Sequence, residues 1–424
     1  VRLVGTALKK TNIFNKESRS CNIIMLKCTA EIKLRLISTI DQNDQHCCFE
    51  EDATRKYRST QRKRKSTQSA QRGKTPESNN PSTLVSLAPF VFKKDSYESL
   101  LSAMEQAWER MVTRRMYITG GLGSAPHIEG FGEDYELDPE YAYNETCASL
   151  ASLFWNWELS LITKDARYSD LFEWQLYNAT IVGMGQNGDT YLYNNPLAVH
   201  HGVTRQGWYV VPCCPSNLSR TFAGLGKYIY SHAENDIWIH QYVSSETTMD
   251  GVQIKVESEL PWNGKVKIYV KPEVQKEFTI HVRRSSWTIT APKESTASGY
   301  DPRQADFESV TRVWSTDGEK LEYNLDMSIQ LRRAHPKVQG HAGKVTVTRG
   351  QLVYCLESVD NPDIDIFTAQ LDPDSLTDEF VHDLLGGCVV IYGKTTDGKP
   401  LKFIPYFLWA NRGEAQMTVW VNSK

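Results

Sequence analysis

The sequence predicts an α+β protein of several domains, with helices first and a β-sandwich region after them. Between about residues 96 and 230, apolar residues recur at helical spacing. Beyond Tyr230 the period changes to two, and short alternating segments such as residues 252–256 follow one another towards the C-terminus. Turn-forming stretches such as residues 261–264 separate these segments. We therefore expect a helical region over residues 96–230 and one or two β-sandwich units over residues 231–424.

The composition is that of a globular protein with little net charge. The 424 residues suffice for two or three domains with sizeable cores, and a net charge of −3 gives no overall affinity for polyanions. No uninterrupted apolar window of about 18 residues occurs, so we expect no membrane span. No secretory signal is visible, although the chain begins with Val1, which leaves the true N-terminus open. An odd cysteine count with a vicinal pair favours a reducing compartment, and we expect a cytoplasmic protein.

Residues 1–95 differ from the rest and are left without a domain assignment. Their apolar runs are short, and residues 55–74 are crowded with Arg, Lys, Ser, Thr and Gln. Such a stretch buries too little apolar surface to offset the entropy of ordering, so we expect it to be linker-like or disordered. The basic residues 62–65 also match a nuclear-localisation or nucleic-acid patch, but a solvated linker is the commoner reading, and we expect no nucleic-acid partner.

Two loops with unusual compositions follow the first predicted helix, which runs from about Ser96 to Arg115. Residues 120–123 read Gly-Gly-Leu-Gly but lack the lysine of a phosphate-binding loop, so we expect them to shape a pocket. The next stretch places four carboxylates within eight residues, between glycines and aromatics: Glu129, Glu133, Asp134 and Glu136. A solvated acidic surface and a general acid held close to a ligand both fit this pattern.

Two pairs of metal-binding residue types stand at predicted helix starts. Glu145 and Cys147 precede or begin an αα-hairpin, while Cys213 and Cys214 precede Pro215, a residue favoured at the first helical position. Helix N-termini stabilise thiolates, and three thiols with one carboxylate suit a tetrahedral zinc ion. Cysteines that merely fill the core are the alternative. We expect the hairpin over residues 147–163 and 166–183, and the helix from Pro215 to about Tyr230.

Six sequence blocks in a fixed order resemble a known enzyme family. They are residues 116–124, 129–137, 142–148, 213–217, 347–355 and 404–413. From about Ser99 to the C-terminus the chain resembles glycoside hydrolase family 127, the β-L-arabinofuranosidases. The family fold is an (α/α)6 barrel followed by β-sandwich domains. The resemblance thus implies that residues 96–230 form the C-terminal part of such a barrel, and that most of its N-terminal part has no counterpart in residues 1–95.

The resemblance also implies a role for each matching residue. It makes Cys213 the nucleophile and Glu129 the general acid/base, and Tyr193 lies near a substrate-contacting tyrosine of the family. The implied ligands of a zinc ion are Glu145, Cys147, Cys213 and Cys214. Because a general acid must arrive protonated, we expect a partly desolvated position for Glu129.

The implied reaction is the retaining hydrolysis of β-L-arabinofuranosides, with release of L-arabinose and Zn²⁺ as cofactor. The implied partner is an arabinofuranoside-containing glycan or oligosaccharide, with no membrane partner, and a homodimer is left open. The implied truncation of the barrel also leaves the activity of the chain open. A second hypothesis is a non-catalytic, zinc-stabilised carbohydrate-binding protein.

Overall fold

The computed structural model describes residues 36–37, 94–289 and 296–423. By its internal contacts the chain divides into one unit of residues 1–38 and 105–424 and a second unit of residues 39–104. Of the range 1–95, the structure describes strand β1, Leu36–Ile37, and the first two residues of a helix. The rest of the expected linker, including the basic residues 62–65, lies outside the described residues. No helix in the described ranges is long and apolar enough to cross a membrane.

Four α-helices occupy the first half of the described chain: α1 Lys94–Arg114, α2 Thr146–Thr163, α3 Ala166–Gln175 and α4 Cys213–Ala223. Helices α2 and α3 form the predicted hairpin. Lys164 adopts a left-handed conformation after α2, and the Asp165 side chain caps α3 by accepting the Arg167 N–H. The chain then widens into a π-helical turn, Leu176–Thr180, and a short 3-10 turn, Ile181–Gly183.

Helix α4 differs from its prediction at both ends. It starts at Cys213, two residues before Pro215, because proline is tolerated throughout the first turn, where N–H groups lack helical partners. It ends at Ala223, well before Tyr230, where Gly224 caps it and a 3-10 turn follows. An apolar cluster joins α2, α3 and α4 and includes Leu150, Leu153, Phe172, Leu218 and Phe222.

Apart from the two-residue strands β1 and β2 (Ala198–Val199), the described strands begin at Tyr230, where the period of the sequence changes. The first group comprises β3 Tyr230–Ala233, β4 Asp236–Ile239, β5 Ser245–Met249, β6 Val252–Ser258, β7 Lys265–Pro272, β8 Lys276–Arg284, β9 Asp306–Trp314 and β10 Glu319–Asn324. They form a five-stranded sheet, β1-β5-β6-β7-β10, and a four-stranded sheet, β3-β4-β8-β9. In β6 the apolar Val252, Ile254 and Val256 are buried while the polar residues between them are exposed, as the alternation predicts.

A nine-stranded sheet closes the chain. Its strands are β2 Ala198–Val199, β11 Ile329–Arg332, β12 Lys344–Arg349, β13 Leu352–Glu357, β14 Gln370–Val381, β15 Cys388–Thr395, β16 Pro400–Pro405, β17 Met417–Thr418 and β18 Trp420–Ser423. The order is β11-β12-β18-β14-β15-β16-β13-β17-β2. The α+β prediction is therefore confirmed. The partial (α/α)6 barrel stays a prediction.

Several contacts bind the helical region to the sheets. Strand β2, from the segment between α3 and α4, pairs with β17. The Asn178 side chain donates to the Gln351 carbonyl and accepts the Val353 N–H, each at 2.8 Å. The buried Arg205 donates to the carbonyls of Val182 and Trp409 at 2.7 and 2.9 Å. The helical segment and the C-terminal sheet thus share one hydrogen-bonded framework.

A buried ion cluster makes a second junction, between α3 and β8. Arg283 lies 2.6 Å from Asp170 and 2.8 Å from Glu173, and all three side chains are almost wholly excluded from solvent. Trp287 donates its indole N–H to Glu173 at 2.8 Å, and the hydroxyls of Ser286 and Tyr300 contact Asp170. Charges removed from water to this extent are stable only when they are paired, so this junction depends on all its members.

Candidate active site

Glu145, Cys147, Cys213 and Cys214 come together where α2 and α4 begin. Glu145 is the N-cap of α2 and Cys147 its second residue, while the two adjacent cysteines open α4. One ligand atom from each side chain lies within 4.8 Å of all the others. The Cys213 sulfur is 3.8 Å from both the Cys214 sulfur and Glu145 Oε1, and the Cys214 sulfur is 3.7 Å from the same oxygen. The structure thus brings together the four residues predicted as ligands.

The spacing of three of these atoms fits a tetrahedral metal ion, and the Cys147 sulfur lies within 4.8 Å of them. An ion that binds sulfur at about 2.3 Å requires neighbouring ligand atoms at separations of about 3.8 Å. The three distances among Cys213, Cys214 and Glu145 meet this requirement. Cys214 is buried and the other three side chains are half-buried. The cluster could therefore hold a metal ion that accepts sulfur and oxygen ligands.

Burial keeps two of the thiols protonated when no cation is close to them. It raises the pKa of Cys147 to about 11 and that of Cys214 well above its ordinary value. The helix starts were expected to favour the thiolates, but loss of solvation outweighs that effect here. A bound cation reverses the balance, because it stabilises each thiolate directly.

The glycine-rich loop fixes the backbone that delivers Glu145. Gly121 packs against Asn144 so closely that a Cβ at this glycine would lie 1.6 Å from Asn144 Oδ1. Asn144 has a φ of +41°, donates its N–H to the Gly123 carbonyl at 2.8 Å, and donates its side-chain amide to the Asn195 carbonyl at 2.7 Å. The glycines thus make room for Asn144, and Asn144 sets the direction in which the chain enters α2.

Tyr193 lies outside the cluster and touches the sulfur of the predicted nucleophile. Its hydroxyl oxygen lies 3.2 Å from the sulfur of Cys213. Its backbone is held on both sides, because its carbonyl accepts the Thr146 N–H at 3.0 Å and its N–H donates to the Tyr209 hydroxyl at 3.1 Å. The bond to Cys213, together with burial, raises the pKa of Tyr193, so the hydroxyl keeps its proton and acts as a donor.

The structure separates the four carboxylates of the acidic loop. Asp134 is held by three arginines, Arg110, Arg114 and Arg115, at 3.1, 3.1 and 2.6 Å. The hydrogen bond from Arg115 is the largest cause that lowers the pKa of Asp134 to about 2. Glu136 accepts the Glu133 N–H at 2.6 Å and so closes the loop on itself. Asp134 and Glu136 therefore have structural roles, which leaves Glu129 and the exposed Glu133.

Glu129 follows the 3-10 turn Pro126–Ile128 in a left-handed conformation with a φ of +49°, which is uncommon for a residue with a side chain. Its side chain is exposed, so the expected partly desolvated position is wrong for this structure. It nevertheless lies close to the site. Burial raises the pKa of Tyr143, and the negative charges of Glu145 and Glu129 raise it further. The rings of Tyr143 and Tyr193 pack with their centroids 6.3 Å apart.

Two residues beside the cluster were given no role by the sequence reasoning. Asn217 donates its side-chain amide to the Cys147 sulfur at 3.1 Å, and Tyr143 lies between Glu129 and Tyr193 as described above. A signal for Asn217 was available, because it follows Cys213 by four residues and therefore shares its helix face. No such spacing signals Tyr143.

Three family models match successive parts of the chain. They are described as the beta-L-arabinofuranosidase GH127 catalytic domain, over residues 84–227, the GH127 middle domain, over residues 236–327, and the glycoside hydrolase family 127 C-terminal domain, over residues 329–422.

Curated and solved relatives agree with these matches. A non-reducing end beta-L-arabinofuranosidase from Bifidobacterium longum subsp. longum is 30% identical over 373 residues, covering 76% of this chain and 56% of the relative. The crystal structure of Ara127N-Se, a GH127 beta-L-arabinofuranosidase from Geobacillus stearothermophilus T6, is 35% identical with a TM-score of 0.69, and the match covers 78% of this chain and 58% of that one. The GH127 beta-arabinofuranosidase BT3674 is 29% identical with a TM-score of 0.67, covering 77% and 57%. The chain thus spans less than two thirds of each relative.

Proposed function

The chain belongs to glycoside hydrolase family 127, and from that membership we propose that it is a retaining glycosidase that releases L-arabinose from β-L-arabinofuranosides. The observation that carries the proposal is the setting of Cys213. Its sulfur is contacted by the Tyr193 hydroxyl at 3.2 Å and by Glu145 Oε1 at 3.8 Å, within the cluster of possible metal ligands. A half-buried cysteine with this set of neighbours suits a nucleophile.

Zinc is the metal we propose for the cluster, held by Glu145, Cys147, Cys213 and Cys214. Three sulfurs and one carboxylate oxygen, all within 4.8 Å of one another, match its preferred ligand types. When bound, zinc would keep the thiols ionised at neutral pH. The protein holds the four ligands at the starts of α2 and α4, where the free backbone N–H groups favour negative charge.

In the first step, the Cys213 sulfur attacks the anomeric carbon of the sugar. The bond from that carbon to the leaving-group oxygen breaks, and Glu129 donates its proton to this oxygen. The product is a thioglycosyl enzyme, in which cysteine takes the place of the carboxylate that serves most retaining glycosidases. The Tyr193 hydroxyl, held by its backbone bonds, orients the sulfur and lies within reach of a bound sugar.

In the second step, the Glu129 carboxylate removes a proton from a water molecule, and the water oxygen attacks the same anomeric carbon. The carbon–sulfur bond breaks and Cys213 leaves as the thiolate, so that two inversions give net retention. Glu129 lies on an exposed turn, where substrate can reach it. A bound sugar would cover the carboxyl and exclude water from it, as proton transfer to a leaving group requires.

The exposure of Glu129 also favours a second candidate, a zinc-stabilised carbohydrate-binding protein without catalysis. Hydrolysis of 4-nitrophenyl β-L-arabinofuranoside separates the two. The enzyme hypothesis expects turnover by the wild type, loss of turnover in Cys213→Ser, and wild-type turnover in Cys355→Ala, a control at a cysteine buried in β13. Binding of L-arabinose by both the wild type and Cys213→Ser without any turnover would instead support the binding protein.

A further inference from the structure

Asn217 occupies the point where the two halves of the cluster meet. It lies on α4, one turn after Cys213, and its half-buried side chain reaches across to the start of α2. There Nδ2 lies 3.1 Å from the sulfur of Cys147. A thiolate can only accept hydrogen bonds, so the amide group must present its N–H to this sulfur. The contact therefore joins the helix that carries Cys213 and Cys214 to the helix that carries Cys147.

The three thiols of the cluster have different partners. Cys213 has the Tyr193 hydroxyl at 3.2 Å, and Cys214 is fully buried, with the Glu145 carboxylate and the neighbouring sulfur close to it. Cys147 is the thiol that receives a side-chain amide. An amide on a short side chain, anchored in a helix, fixes both the position and the rotamer of the sulfur to which it donates.

We propose that Asn217 is a positioning residue that holds the Cys147 sulfur at its place in the ligand set and so determines how tightly the cluster binds zinc. This inference rests on the proposed function, because it takes the cluster to be a zinc site. Partners that orient metal ligands commonly change metal affinity about 10- to 100-fold when they are removed. We expect an effect of this size from Asn217.

The experiment compares zinc affinity, by competition with a chromogenic chelator, in the wild type, Asn217→Ala, Asn217→Asp and the control Ser219→Ala. Ser219 lies on the same helix and bonds to the Pro215 carbonyl. Asn217→Asp keeps the shape of the side chain but replaces the donor by a negatively charged acceptor. Both Asn217 variants should bind zinc about 10- to 100-fold more weakly than the wild type, with the aspartate the weaker, and the control should not differ.

Thermal unfolding distinguishes ligand positioning from a general structural role. The Asn217 variants should melt at the wild-type temperature when zinc-free and below it when zinc-loaded. Wild-type affinity in both variants, or an equal loss of Tm with and without zinc, would overturn the inference. A wild-type chain that binds no added zinc would overturn the zinc site and the inference together. Weaker zinc binding by the variants beside a wild type that hydrolyses no arabinofuranoside would support the inference while removing the proposed activity.

Discussion

The hydroxyl of Tyr193 lies 3.2 Å from the sulfur of Cys213, although the two residues come from different segments and only Cys213 belongs to a helix. The Tyr193 carbonyl accepts the Thr146 N–H and the Tyr193 N–H donates to the Tyr209 hydroxyl, so the tyrosine has little freedom to move away. The hydroxyl oxygen is therefore held beside the sulfur of the proposed nucleophile.

Tyr193→Phe should reduce kcat/KM for an aryl β-L-arabinofuranoside while leaving the zinc content at the wild-type level. A hydrogen bond to a charged group contributes about 1.5–3 kcal/mol, which corresponds to a loss of roughly 10- to 150-fold. Steady-state kinetics beside metal analysis tests both parts. Loss of zinc in this variant would show that the hydroxyl serves the metal site instead.

Metal content should depend on the cluster cysteines and not on other buried cysteines. We expect about one zinc per chain in the wild type, and loss of most of it in Cys147→Ala or Cys214→Ala, because three ligands do not close a structural tetrahedral site. Cys388→Ala, in β15, is the matched control and should keep its zinc. Elemental analysis of the purified proteins measures the zinc content. Equal zinc in the wild type and the three variants would exclude the proposed zinc site.

Gly121→Ala should disrupt the site from a distance. A Cβ at Gly121 would lie 1.6 Å from Asn144 Oδ1, so Asn144 has to move, and with it the backbone that enters α2 at Glu145. We expect a loss of about 1–3 kcal/mol in the free energy of unfolding, together with weaker zinc binding. Gly207→Ala provides the control, because nothing lies within 4 Å of its added Cβ. Denaturant unfolding of both variants should differ accordingly.

His240 should make the stability of the protein sensitive to acid. The ring is fully buried between the hydroxyls of Ser169 and Ser231, at 2.7 Å from each, and burial lowers its pKa from 6.5 to about 3. The neutral ring is thus favoured in the folded state. The contribution of the neutral His240 ring to the free energy of unfolding is complete above about pH 6.5 and is lost as the pH falls towards 3.

The slope contributed by this one group reaches at most about 1.4 kcal/mol per pH unit. His240→Gln, measured by urea unfolding between pH 7 and pH 4, should show a shallower fall in stability than the wild type. Parallel profiles for the two proteins would mean that other groups cause the acid sensitivity.

Arg283→Ala should be among the most destabilising single changes, because it leaves Asp170 and Glu173 buried without a counter-charge. Breaking a buried pair in this way costs about 3–5 kcal/mol. The adjacent Arg284→Ala removes an exposed pair with Asp306, which should cost no more than about 1 kcal/mol. Chemical denaturation of the two variants makes the comparison, and similar losses in both would contradict it.

The sequence predicted the grouping of the four possible metal ligands better than it predicted the ends of the helices and strands. Glu145 and Cys147 stand more than sixty residues before Cys213, yet the helix starts and the family resemblance grouped them correctly with Cys214. The family resemblance itself is confirmed by the comparisons.

The predictions that failed concern features that depend on contacts with distant parts of the chain. The alternating pattern of the sequence continues from Ile237 to Val243, but β4 stops at Ile239. Buried polar residues begin there: His240 bonds to Ser169 and Ser231, and Gln241 donates to the Ser169 carbonyl. The sequence shows that these side chains are polar, but not that α3 and β3 supply their hydrogen-bond partners. The exposure of Glu129 likewise depends on what surrounds its turn, and its own segment contains no information about that.

The pairing of β2 with β17 has a consequence for how this protein can evolve. The segment that carries Tyr193 continues directly into β2, and the hydroxyl of Tyr406 donates to the Pro196 carbonyl at 2.9 Å within the same stretch. The C-terminal sheet is therefore hydrogen-bonded to the segment that carries Tyr193, the residue in contact with Cys213. Recombination that replaced the C-terminal sheet with an unrelated domain would remove these hydrogen bonds from the segment that carries Tyr193. We therefore expect the helical region and the C-terminal sheet to be inherited together.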